Sequence, residues 1–107
     1  MMTNEEFKAT PRGREVKALL GPNLFLLKSL SSGLEDRGER FRFERAVALE
    51  MKRRAYVALV DNVSDMPDSV RQSFKGTIEA IPQIVQTEGL PSVDEVVIES
   101  MIALASL

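Results

Sequence analysis

The sequence predicts an all-α protein, a small bundle of about four to five helices with one long central helix at about 34–63 and an apolar helix at its C-terminal end. Three observations predict it. Helix-start signatures recur, with Thr or Ser standing three residues before Glu or directly before proline. Apolar residues recur at spacings of three and four through 70–85 and again through 93–104. The stretch 34–63 has no proline, and strand formers are few outside 56–60.

The elements follow in order from local chemistry. Thr3 and Glu6 have the spacing of a capping box, in which the Thr hydroxyl and the Glu carboxylate satisfy first-turn backbone donors, so a short helix starts there. Thr10 before Pro11 starts a second helix through Leu20, because proline at the first helical position lacks only a donor that would have no partner. Gly21, Pro22 and Asn23 interrupt it. A compact apolar helix at 24–30 follows, ending at the turn Ser31-Ser32-Gly33. On the long helix, a hundred degrees per residue puts Leu34, Phe41, Ala48, Ala55, Leu59 and Val63 on one face and Phe43, Val47, Met51 and Ala58 on another. Two apolar faces call for neighbours on two sides, and Phe41 and Phe43 are read as core. Val70, Phe74, Ile78, Ile81 and Val85 then form an amphipathic helix in which Pro82 predicts a kink or a restart. Gly89, Leu90 and Pro91 close it. Ser92 and Glu95 form a second capping box, launching a terminal helix so apolar that it must be buried in its own fold or against another subunit.

Composition narrows the function. With 107 residues, 44% hydrophobic and 28% charged, the chain is read as one packed domain over 1–107 and not as a disordered polymer. It contains no cysteine and no histidine. Zinc, haem and iron–sulfur sites thereby lose their usual ligands, and Ser-His-Asp or Cys-His catalysis has no base, so no cofactor, no metal and no enzymatic activity are expected. Glu95 and Glu99 share a helix face with Asp94 nearby, but too few oxygens gather there for a cation cage, and the pair is read as a solvated face. No apolar run fits a signal peptide or a membrane span, and a cytoplasmic protein is the expectation.

Charge gives the remaining clue. Residues 1–60 hold twelve Lys and Arg against eight Asp and Glu, and residues 61–107 hold two against eight. Such halves attract each other, or one of them attracts an anionic partner. The basic residues concentrate on the long helix, where Arg37, Arg40, Arg45, Lys52, Arg53 and Arg54 are the candidate partner-binding residues. Arg45 and Lys52 intrude on an apolar face, so they snorkel or pair with an acid of the second half. Val93, Val97, Met101 and Leu104 are the candidate self-association residues. The favoured function is a helical protein–protein interaction or regulatory module that forms a homodimer through its C-terminal helix. The alternative is a nucleic-acid-binding regulator using the arginines of the long helix, which the interleaved acids Glu35, Asp36, Glu39, Glu44 and Glu50 disfavour.

Overall fold

A computed structural model of the protein describes residues 1–21 and 31–105, and the helix expected at 24–30 lies outside the described residues. The described residues form five helices: α1 (Asn4–Lys8), α2 (Pro11–Leu20), α3 (Arg37–Asn62), α4 (Asp68–Glu88) and α5 (Glu95–Ala105). The all-α bundle around one long helix is therefore the observed architecture. Among the described residues no helix is long and apolar enough to cross a membrane.

The N-cap residues that start the first two helices are the threonines the sequence specifies. The Thr3 hydroxyl accepts from the Glu6 backbone N–H, and the Thr10 hydroxyl accepts from that of Gly13. Thr10 also donates to the Phe7 carbonyl at 2.6 Å, so one hydroxyl ties the end of α1 to the start of α2. The long helix begins later than expected. Asp36, not Leu34, sets its start, since the Asp36 carboxylate accepts from the Glu39 N–H at 2.9 Å and extended backbone precedes it. The start of α5 is corrected in the same way. Asp94 supplies the capping oxygen to the Val96 N–H at 2.9 Å, in place of the expected Ser92.

α4 runs through Pro82 without a restart. Proline removes one hydrogen bond, whereas buried Ile81 and half-buried Ile78 and Val85 hold both halves of the helix against its neighbours. Gly89 then ends it at a left-handed φ of 62°, with the Leu90 N–H reaching back to the Val85 carbonyl at 3.0 Å.

α3 packs against α2, α4 and α5, while α1 folds back on α2. The core joins Phe7, Val16 and Leu19 to Val47, Met51, Ala55 and Ala58 of α3 and to Ile98 and Met101 of α5. Only one of the two faces read for α3 is buried along its length. Phe41 is 67% exposed and Ala48 is exposed, so the first face packs only over its C-terminal half. The cause is the placement of the neighbours. α5 meets α3 at Arg54, about 20 Å beyond Phe41 along the helix axis.

Two polar seams fix the remaining geometry. Met2 exchanges backbone hydrogen bonds with Asn62 and Ser64 at 2.8 and 2.7 Å, and Asp65 accepts from the Asn4 N–H, which sews the first residues to the α3–α4 turn. Arg71 of α4 donates to the Val60 and Val63 carbonyls at 2.7 and 2.6 Å. It thereby satisfies carbonyls at the C-terminal end of α3, where a cation also faces the negative end of the helix dipole.

Candidate interaction surface

The arginines of α3 divide into those already spent within the fold and those that are not. Arg45 makes a bidentate pair with Glu88 of α4, with both contacts at 2.6 Å. That hydrogen bond and the attraction behind it raise the Arg45 pKa and lower that of Glu88. Arg53 and Arg54 converge on Glu50, the first bidentately, and Arg54 also reaches Glu95 of α5. The Glu50 carboxyl is held below the usual carboxylate range, chiefly by its hydrogen bond from Arg53 and against the opposing effect of partial burial. Glu95 is lowered by Arg54. Arg42 donates to the Gly89 carbonyl. Lys52 places its ammonium 5.7 Å from the centre of the Tyr56 ring, which stacks on Phe74 with centroids 4.2 Å apart. The basic half and the acidic half thus meet at Arg45–Glu88 and Arg54–Glu95.

These pairs make stability pH-dependent with a definite sign. Glu50, Glu88 and Glu95 all have folded-state pKa values below their ordinary value of 4.5, so in acid the unfolded chain binds more protons than the folded one. The stabilisation is complete above that value and is lost as pH falls through the lowered pKa values. Denaturation followed between about pH 6 and pH 3 is expected to show falling stability, and Glu50→Gln is expected to flatten that slope. An unchanged slope in Glu50→Gln would show that its two arginines do not stabilise the charged form.

Arg37 and Arg40 stand apart, because neither makes an ion pair among the described residues. They share one helix face with Phe41 and Glu44 through spacings of three, four and seven. Together with Ser31 and Ser32 these residues line a hollow of about 490 Å³. Ser31 is buried and donates to the Glu44 carboxylate at 2.9 Å, which fixes the wall of the hollow. The Arg40 Nε is sealed from solvent and has no hydrogen-bond partner among the described residues. Of the six candidate partner-binding residues, the fold therefore brings Arg53 and Arg54 together around an acid, ties Arg45 to α4 and rests Lys52 on an aromatic ring. Only Arg37 and Arg40 remain side by side next to an exposed aromatic.

The candidate self-association set is divided too. Met101 is 1% exposed and belongs to the core, and Val93 and Val97 pack partly buried against it. Leu104 is 40% exposed, and Val96, outside the expected set, is 64% exposed. Among the described residues no cluster of three or more carboxylates has the arrangement of a metal site.

A second surface escaped sequence reasoning. A cleft of about 680 Å³ lies between α1 and α2, with Phe7, Val16 and Leu20 in its wall and Lys8, Arg14 and Lys17 around it. Arg14, Lys17 and Leu20 recur every three residues along α2, a stripe that the sequence displays but that gains meaning only once α1 folds back beside it. Comparison of the chain with protein-family models, with curated proteins and with solved structures yields no match.

Proposed function

We propose that the chain is a helical protein–protein interaction module that presents Arg37, Arg40 and Phe41 to another protein. The supporting observation is the contrast within one helix. Most of the arginines of α3 are engaged inside the fold, whereas these two make no ion pair among the described residues and stand beside a phenylalanine left 67% in water. Arginine and aromatic side chains are the residue types that dominate binding energy at protein interfaces, and an apolar ring is held in solvent at a cost that a partner removes.

A photo-crosslinking residue placed at Phe41 is expected to give a discrete protein adduct in the native cell, and the same residue at Val70 is expected to give none. Phe41→Ala is expected to weaken the captured complex about 30-fold, the equivalent of a hot spot of about 2 kcal/mol. Equal labelling from both positions would count against the reading. The exposure of Phe41 also favours a second reading, single-stranded nucleic acid, because a ring flanked by cations is a platform for base stacking. In that case the adduct is nucleic acid, and affinity falls steeply with salt.

A further inference from the structure

We infer that the α1–α2 cleft is the receptor for the outer face of α5 of a second copy of this chain, so that two reciprocal contacts close a twofold dimer. This inference does not rest on the Arg37–Phe41 surface, with which the cleft shares no residue. The two faces are complementary in charge. Among the described residues no acidic side chain lines the cleft, which carries Lys8, Arg14 and Lys17. Lys17 has no ion pair among the described residues, and Lys8 has only an exposed pair with Glu5 at 3.3 Å, an interaction worth little and readily exchanged. Arg14 donates to the Ala9 carbonyl and has no ion pair among the described residues. Asp65, tied to cleft residue Asn4, accepts from that residue's N–H.

α5 presents the opposite pattern. The helix contains no basic residue, and its exposed positions include Val96, Glu99 and Leu104. Glu99 has no ion pair among the described residues. Val96 and Leu104 stand about 12 Å apart along the axis, with Glu99 at a height between them. In the cleft, Leu20 is 47% exposed and offers apolar surface to meet them. Docking α5 there covers apolar side chains on both copies and sets Glu99 against the Lys17 side of the cleft. Because the face of α5 on each copy meets the cleft of the other about one twofold axis, the interface is isologous and closes at two copies.

Sedimentation equilibrium of the full chain over a range of concentrations tests this. The unaltered protein is expected to dimerise. Lys17→Glu and Glu99→Lys, both at exposed positions and both checked for helical content by circular dichroism, are each expected to weaken the dimer by at least about tenfold, because each sets like charges together. An equimolar mixture of the two variants is expected to recover association. In the mixed dimer one contact pairs Glu at 17 with Lys at 99, and the other is unaltered. Arg37→Glu is expected to leave the dimer intact. A monomer at every concentration, a dimer indifferent to both substitutions, or a mixture as weak as its components would overturn the inference.

Discussion

A Met101→Asp chain is expected to lose its cooperative thermal transition, read by circular dichroism, and not to yield a folded monomer. Met101 is 1% exposed and sits with Phe7, Val16, Val47, Met51 and Ile98 in the cluster that joins α2, α3 and α5. A carboxylate there either stays charged in an apolar surround or takes up a proton, and both outcomes cost folding free energy. With no partner in that cluster, the expected destabilisation is roughly 4 kcal/mol or more, against a total stability on the order of 5–15 kcal/mol for a domain of this size. Leu104→Asp, on the same helix but at the surface, is expected to leave the fold intact. A folded, soluble Met101→Asp monomer would show that this side chain faces another subunit and not its own core.

The second large effect concerns a glycine whose replacement reverses the usual sign. Gly13 and Gly76 both lie inside helices, where Ala is ordinarily better than Gly by about 1 kcal/mol. At Gly76 a β-carbon meets nothing within 4 Å, so Gly76→Ala is expected to stabilise by up to that amount. At Gly13 a β-carbon would stand 2.0 Å from the Phe7 carbonyl oxygen and 2.9 Å from the Lys8 Cα. Those atoms are backbone and cannot rotate aside. Gly13→Ala must therefore push α1 off α2, pulling Phe7 from the core and stretching the Thr10 bonds to Phe7 and Gly13. The expected loss is about 1–3 kcal/mol. Urea denaturation of the two variants measures the difference, and a stabilised Gly13→Ala would mean that the two helices do not approach as closely as described.

Much of this architecture was legible because it is written in local chemistry. Thr3 and Thr10-Pro11 carry their caps in the residues themselves, and the spacing of Phe74, Ile78 and Ile81 belongs to one helix whatever surrounds it. The pairing of Arg45 with an acid of the second half was also foreseeable, since a charge on a face that must pack has to reach either water or an opposite charge. What failed depended on neighbours. A helical wheel assigns Phe41 and Ala55 to one face but does not know that α5 covers only the Ala55 end. Likewise Met101 and Leu104 are equally apolar in sequence, and only the rotation of α5 against α2 and α3 separates a core residue from a surface one. Competition between adjacent polar residues explains the shifted starts, since Asp36 and Asp94 offer carboxylates where Leu34 has none and Ser92 lies farther from the first turn.

For the arginines, sequence proximity was a poor guide to availability. Arg53 and Arg54, adjacent and prominent, fall within reach of Glu50 one turn before them, whereas Arg37 and Arg40 face a stretch in which Glu44 is already taken by Ser31. The interleaved acids neutralise part of the cluster and leave the rest.

The seam between Met2 and the α3–α4 turn bears on the order of assembly. Its bonds join positions 60 to 62 residues apart, whereas Arg71 closes onto Val60 and Val63 over 11 and 8. Loop-closure entropy rises only logarithmically with length, so the long seam is tolerable in the finished molecule, but contacts remote in sequence slow folding. The α3–α4 hairpin has its own short turn, and the Arg71 bonds that close it involve no N-terminal residue. Met2 needs a completed Asn62–Asp65 corner before it has anything to bond. The first residues of the chain are thus expected to be among the last to find their place, fastening a structure whose central pair is already formed.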